Sequence, residues 1–358
     1  MIDAMNRRNF LQLGLTAGAV AMLPRAMSAQ AAKAAQPNAS AATTPIKITK
    51  LYDNLYLLQG EGGNMALQTG AEGDILIDAS YAPAVPRILE AIAAESKNAP
   101  FMLINTHWHG DHTGGNEGLH AAGFTITAHQ NTRKRLSEPQ EMKLFHREVA
   151  AAPAGALPTI TFDDAMKIWH NGDELNLVHF APAHTDTDIY IHFQKADVLH
   201  VGDIWFNGVY PFIDEGTGGS IGGMIRASEK ALAVAGNTTK MIPGHGPLGS
   251  KADFQKYHDF LAAVRDKVAA LKAGGASEQE VIAKRPTAEF DGGLAKGFMN
   301  ADTFVGIVYR TLLGSLYPTL AVSAKTPQGW GTQTLGYSGN SNRRQIRDPL
   351  CRADGAAD

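Results

Sequence analysis

Between Ile46 and about residue 250, short apolar runs alternate with glycine-containing turns. Leu55–Leu58, Met65–Thr69 and Ile75–Ile77 predict successive strands of an antiparallel meander. Pro86–Ser96 predicts a helix, because Ile88, Leu89 and Ile92 recur at helical spacing. Phe101–Asn105 is a continuous apolar run and predicts a buried strand that feeds a histidine-rich loop. Further strands are predicted over Thr125–Ala128, Glu174–Phe180, Ile189–Phe193, Val198–Val201 and Lys240–Ile242, with helices near Gln130–Leu136 and Met224–Ala235. Strands and helices interleave, so the expected class is α/β (α+β), with sheets covered by outer helices. From Lys251 to Leu313 the rhythm turns helical, with Phe254, Tyr257, Leu261, Val264 and Val268 three or four residues apart. No internal repeat is found.

The flanks read differently. Residues 32–45 are rich in Ala, Pro, Gln, Ser and Thr and predict a linker with too little apolar surface to order itself. Ahead of it, Arg7-Arg8 precede a weakly apolar stretch from Phe10 to Leu23, too short to span a bilayer comfortably. Ala29-Gln30-Ala31 then offers a small-residue cleavage pattern. Residues 1–31 therefore resemble a twin-arginine signal peptide, with an ordinary secretory signal or an N-terminal anchor as the plainer readings. That order implies export to the periplasm and no stable membrane anchor after cleavage. At the other end, residues 327–358 are rich in Gly, Asn, Arg and Asp, a composition expected of a disordered tail.

Composition narrows the chemistry. A hydrophobic share of 44% and a charged share of 19% are ordinary for a globular protein. A formal charge of −3 and the lack of a basic block give no footing for nucleic acid as a partner. The single cysteine, Cys351, permits no intramolecular disulfide, so a metal site must draw on imidazoles and carboxylates. A small-molecule substrate is the expected partner, and the oligomeric state is not legible.

One segment concentrates that chemistry. His107-Trp108-His109-Gly110-Asp111-His112 places three imidazoles and a carboxylate directly after a predicted buried strand. A lone histidine is more often a satisfied core or surface residue, but this donor set in one tight loop suits zinc and, less well, other first-row metals. The H-x-H-x-D-H pattern resembles the signature of the metallo-β-lactamase superfamily. The later motifs of that family follow in order: Ala183-His184-Thr185, Val201-Gly202-Asp203 and Pro243-Gly244-His245-Gly246, with Ile77-Asp78 matching an early strand-ending aspartate. The resemblance covers about residues 50–250.

The resemblance implies an αββα sandwich over 46–250, followed by a helical C-terminal extension over 251–326 that covers the site or mediates pairing. It implies that His107, His109 and His184 hold one metal, that Asp111, His112 and His245 hold a second, and that Asp203 bridges the two. Two Zn2+ ions are expected, with iron or manganese as alternatives. Asp78 is expected to orient the histidine loop, or else to be only a polar strand end. In this family a water shared by two metals loses its proton at a pKa of about 7, and the resulting bridging hydroxide attacks a carbonyl or phosphoryl centre. Asp111 is the expected catalytic carboxylate, orienting that nucleophile and passing its proton to the leaving group.

Departures from the family pattern bear on the substrate. The best-known β-lactamase subclass has cysteine where Asp203 stands and lysine where Phe206 stands; aspartate looks instead like the glyoxalase II, lactonase and phosphodiesterase branches. The expected activity is opening of a cyclic amide or ester, with β-lactam hydrolysis the leading case. A lactonase or glyoxalase II-like thioester hydrolase is the alternative, and an iron-binding redox protein on the same fold a distant one. Gly60–Asn64 is a candidate loop over the site or merely a turn. Trp205, Phe206, Asn207 and Tyr210 are candidates for the pocket wall or for the core. Asp188 is a candidate support for His184. His120, His129, His146, His170, His179, His192, His200 and His258 lack motif context and are expected to be structural or exposed.

Overall fold

A computed structural model describes residues 38–294 and 297–312. The expected signal peptide, residues 32–37 of the expected linker and everything from 313 onward, including the expected tail, lie outside the described residues.

The apolar runs form two sheets. The first joins β1 (Lys47–Tyr52), β2 (Leu55–Gln59), β3 (Met65–Gln68), β4 (Asp74–Ile77), β5 (Pro100–Ile104), β6 (Thr125–His129) and β9 (Ile160–Phe162) in that order. Its first four strands form the antiparallel meander, and β4, β5, β6 and β9 then run parallel. The second joins β10 (Ala165–His170), β11 (Asp173–His179), β12 (Ile189–Phe193), β13 (Val198–His200), β14 (Lys240–Ile242) and β15 (Gly249–Ser250). Only the β13–β14 pairing in that sheet is parallel. A short hairpin, β7 (Gln140–Met142) with β8 (Arg147–Val149), stands apart from both.

Strand alternation explains the continuous apolar runs. Leu55, Leu57, Ile75, Ile77, Met102 and Ile104 of the first sheet share a core with Leu175, Leu177, Ile189, Ile191 and Val198 of the second. The residues between them point the other way. Tyr56, Leu58, Leu76 and Leu103 pack on Ile88 and Ile92 of α1 (Val85–Glu95) and on Leu119 of α3 (Asn116–Ala121), which in the chain stands between the short α2 (Gly110–Thr113) and α4 (Gln130–Ser137). Both faces of each sheet are thus buried, which removes the polar half of the usual alternation. The layers are helix, sheet, sheet, helix, the αββα sandwich that the family resemblance implies.

The outer face of the second sheet, through Leu199, Val201 and Met241, packs on α5 (Ile221–Val234) and α6 (Lys251–Ala273). Ser250 starts α6 with a capping box closed by Asp253, satisfying amides that the first turn leaves free. The region read as mostly helical forms α6, α7 (Glu278–Ala283), α8 (Asp291–Leu294) and α9 (Ala301–Thr311). Phe254, Leu261, Val264, Val268, Phe304 and Val308 all join this same core, so these helices complete the outer layer. Among the described residues no helix is long and apolar enough to cross a membrane.

Two features depart from the sequence reading. Residues Ala39–Ala42, within the expected linker, form a 3-10 turn that buries Ala41, because one small apolar side chain suffices to dock it beside α1. The strand patterning gave no β9 or β10, since these short edge strands keep Ile160, Lys167 and Trp169 exposed and so lack a clean apolar run. The turn joining β10 to β11 nevertheless carries a local signal. Asn171 and Gly172 sit at φ 50° and 72°, the left-handed pair that a two-residue hairpin requires.

Candidate metal centre

The seven side chains singled out in the sequence meet at one place. His107 to His112 follow β5, His184 follows β11, Asp203 follows β13 and His245 follows β14. Each therefore sits on a loop at a strand's carboxyl end, where a rigid sheet fixes the backbone and the loop turns the side chain. They fall into two groups able to hold a cation: His107, His109, His184 and Asp203, and Asp111, His112 and His245.

Asp78 fastens the histidine loop to the sheet. Its backbone adopts φ 62° at the end of β4. Its Oδ1 accepts the Thr106 amide at 2.7 Å, and its Oδ2 accepts the Thr106 hydroxyl at 2.8 Å. His112 Nδ1 also donates to that Oδ2, at 2.7 Å. Asn105 and Asn116 exchange amide hydrogen bonds at 3.0 and 2.9 Å, closing the same loop from its other side. Asp188 plays the matching part for His184, its carboxylate accepting the His184 and Thr185 amides at 2.8 Å each and the Thr185 hydroxyl at 2.7 Å.

Two glycines make the convergence possible. A Cβ on Gly63 would lie 2.0 Å from the His112 ring, and one on Gly244 would lie 1.9 Å from Asp203 Oδ1. The Gly60–Asn64 turn is thus packed against the ligand loops, with Asn64 buried and its side-chain amide donating to the Pro243 and Gly246 carbonyls.

Hydrogen bonds on the far side of each ring decide which nitrogen faces inward. Thr106 Oγ1 spends its proton on Asp78, so the 3.0 Å contact with His107 Nδ1 makes that nitrogen the donor and leaves Nε2 a lone pair. His184 Nδ1 donates to the Phe212 carbonyl at 2.8 Å, and His109 Nε2 donates to Asp214 at 3.1 Å. The remaining nitrogens, His184 Nε2 and His109 Nδ1, then face each other at 2.9 Å with lone pairs, an arrangement that calls for a cation between them. His107 Nε2 is buried and has no hydrogen-bond partner among the described residues. Asp214, which has no place in the sequence motifs, is therefore part of the site.

Spacing fits a metal as well. Two ligands at zinc distances in a tetrahedron lie about 3.3 Å apart. Asp203 Oδ2 is 3.4 Å from His184 Nε2 and 3.7 Å from His107 Nε2. In the second group, His112 Nε2 lies 3.4 Å from His245 Nε2, which lies 3.1 Å from Asp111 Oδ2. Asp203 Oδ1 is 3.1 Å from His112 Nε2, so this carboxylate reaches both groups.

The electrostatics differ between the groups. Burial holds the His107 imidazole well below its ordinary value and lowers His184 to about 4, leaving both neutral and ready to ligate. Burial pushes the other way at the carboxylates, but His245 and His112 outweigh it and hold Asp203 well below the usual range; His112 and His245 do the same for Asp111. Despite the burial that opposes it, the Asp203 charge raises His245 to about 9 and holds His112 well above its ordinary value. Positive charge is thus demanded at the second group, and protons meet the demand unless a metal displaces them.

The centre floors a cavity of about 550 Å3. Its wall is largely apolar, formed by Trp108, Met142, Phe145, Val149, Phe212 and Phe298, with Tyr81 and Arg147 as polar members. Burial, reinforced by the Asp111 charge, keeps the Tyr81 phenol protonated well above its ordinary value. Trp205 and Tyr210 do not reach this cavity: they belong to the core, against Phe254 and Phe304 respectively. Phe206 lies behind the ligands, stacked on His245 at 5.2 Å, and the Asn207 amide donates to the Pro247 carbonyl. None of the eight other histidines joins either ligand group. A second depression, of about 510 Å3, is lined by residues such as Glu72, Trp169 and Lys195 and by none of the seven candidate ligands.

Comparison with known proteins agrees with this architecture. Residues 58–263 match the sequence model described as Metallo-beta-lactamase superfamily. A metallo-beta-lactamase from Pontibacter korlensis superposes with a TM-score of 0.52 at 17% identity, covering 61% of this chain and 99% of that one. The stereoselective inverting sec-alkylsulfatase Pisa1 from Pseudomonas sp. superposes with a TM-score of 0.58 at 17% identity, covering 79% of this chain and 52% of the sulfatase. The chain thus spans about half of the sulfatase's length. At these identities the likeness is one of fold.

Proposed function

The chain belongs to the metallo-beta-lactamase superfamily, whose members are metal-dependent hydrolases, and from that premise we propose a dinuclear hydrolase that opens a cyclic amide or ester. The observation that carries the reading is the double ligand set sharing Asp203 at the floor of the cavity. His107, His109 and His184 would hold one ion, Asp111, His112 and His245 the other, and Asp203 both; zinc suits this donor set. Two such ions supply a water acidified to a pKa of about 7 and polarise the scissile carbonyl.

The chain's own groups do the rest. Asp111 is the more open of the two ligand carboxylates, at 22% exposure against 4% for Asp203, and lines the cavity. It is placed to take a proton from the attacking water and return it to the leaving nitrogen or oxygen. Tyr81, held protonated, offers an O–H at the same cavity. The apolar wall excludes water and orients the substrate.

Among cyclic amides, β-lactams are the leading case: the twin-arginine-like segment, read as an export signal, would send the protein to the compartment where they act, and one structural neighbour carries the name metallo-beta-lactamase. Asp203 favours a second reading, a lactonase or thioesterase, because an aspartate reaching both ion positions differs from the cysteine of familiar lactamases. Assaying zinc-loaded protein against a β-lactam, an acyl lactone and a thioester decides between them. Turnover of the lactam above the others supports the first reading, and turnover confined to lactone or thioester replaces it with the second. Asp203→Ala should lower whichever rate is found at least about a hundredfold, the scale of losing a preorganised electrostatic element.

A further inference from the structure

Among the described residues, Arg87, Arg133, Arg135, Arg265, Arg285 and Arg310 each have a hydrogen-bond or ion-pair partner and Arg226 also has an interaction partner, whereas Arg147 makes neither a hydrogen bond nor an ion pair with a described residue. Arg147 is exposed, lies on β8 and lines the cavity over the metal centre. Tyr81 lines the same cavity. An unpaired guanidinium beside a cavity is free to take an anion, and its planar fork suits a two-oxygen group.

The hairpin holds Arg147 in register. Arg147 pairs through its backbone with Met142, which is buried and lines the cavity. Arg135 braces the start of the hairpin, bonding Gln140 at 3.2 Å while its other nitrogens hold Asp186 at 3.1 and 2.7 Å. At the hairpin tip Phe145 is 45% exposed, and on the C-terminal side Phe298 is 62% exposed. Their rings lie 5.3 and 6.5 Å from Phe212, which in turn lies 5.6 Å from His109. Aromatic surface therefore runs from the ligand histidines to the rim, where two large side chains stand open to water. Apolar surface left exposed beside a cavity gains when a ligand covers it.

We propose that Arg147 and the aromatic row Phe145, Phe212 and Phe298 form a specificity subsite for substrates that carry a negatively charged group beside an apolar side group. The proposal rests on the hydrolase reading only in taking the occupant to be a substrate. The apolar group lies along the aromatic row while Arg147 holds the charge, and the scissile carbonyl is then set against the ligand cluster. This would restrict turnover to anionic, amphipathic esters or lactams.

Binding tests it without relying on turnover. The zinc-loaded protein is titrated with 4-phenylbutyrate, 3-phenylpropanesulfonate and the neutral 4-phenylbutyramide, as wild type and as Arg147→Glu, Arg147→Gln and Arg147→Lys. Anions also meet the metals directly, so the readout is the change in the acid-to-amide affinity ratio between variants of equal metal content. Charge reversal should lower that ratio about tenfold, with Arg147→Gln between and Arg147→Lys nearest to wild type, and added salt should shrink the difference. The relative loss for carboxylate and sulfonate tells which anion Arg147 fits. An unchanged ratio in both Arg147→Glu and Arg147→Gln overturns the subsite. A changed ratio in a protein that turns over none of the ester, lactone, thioester and lactam probes leaves the subsite standing and removes the hydrolase reading.

Discussion

Replacing Asp214 with Asn probes how the first ligand group is held. Asp214 Oδ2 accepts His109 Nε2 at 3.1 Å and the Thr217 hydroxyl at 2.9 Å, while Oδ1 accepts the Gly216 amide at 3.0 Å. Asparagine must put its NH2 at one of these positions. At the Oδ1 position it meets the Gly216 N–H, donor against donor. At the Oδ2 position it faces His109 Nε2, and the ring must then carry its proton on Nδ1, the nitrogen aimed at the ligand cluster. Asp214 is 2% exposed, so water offers little rescue. A hydrogen bond to a charged group contributes about 1.5–3 kcal/mol. At about 1.4 kcal/mol per tenfold, the ion of the first group should bind about 10–150-fold more weakly. That overlaps the roughly 10–100-fold that loss of a ligand's outer partner costs in metal sites. Competition against a chromophoric chelator measures both affinities in one titration, and the ion held by Asp111, His112 and His245 should change far less. Both ions binding within about twofold of wild type would refute the claim that Asp214 sets the His109 tautomer.

Gly63→Ala should displace the His112 ring, because the added Cβ would lie 2.0 Å from it; a loss of about 1–3 kcal/mol in stability and of the second ion is expected, and a variant with unchanged melting and metal content would be inconsistent with that packing. The buried His129 ring stacks on His179 at 3.7 Å, and burial lowers its pKa to about 4. The unfolded chain, titrating at about 6.5, then binds more protons than the folded one between these values, so this pair's contribution to stability is full above that window and lost as pH falls through it. Urea midpoints should drop less between neutral and mildly acid pH in His129→Gln than in wild type, and parallel curves would exclude the stack as a source of pH dependence. For the proposed export route, replacing Arg7 and Arg8 with lysine should leave precursor in the cytoplasm, whereas normal periplasmic delivery would point to the general secretory route.

Much of this was legible in the chain because ligands and strand ends coincide. The sheets bury both faces, so their inner strands read as apolar runs, and each run closes on His107, Asp203 or His245 within a few residues. Asp78 and Asp188 were readable because they stand next to motif residues. Asp214 was not, since it reaches His109 only through tertiary folding; its one local mark is the turn in which its side chain accepts the Gly216 amide. The edge strands escaped because one face of each is wet, and the Asn171-Gly172 turn between β10 and β11 was the cue that apolar patterning passed over. The cavity wall was left open between two readings for a similar reason. Trp205 and Tyr210 adjoin Asp203 in sequence, but the loop turns them into the core, and the wall comes from distant segments around Met142, Phe212 and Phe298.

The central claim is a two-ion centre whose two halves share Asp203 and act together. Metal-stripped protein, reloaded stepwise with zinc and followed by elemental analysis alongside hydrolysis of its best substrate, tests it most directly. Binding should saturate at two ions per chain, with activity rising to its maximum only as the second is taken up. Saturation at a single ion, or full hydrolysis by the stripped protein, would contradict it.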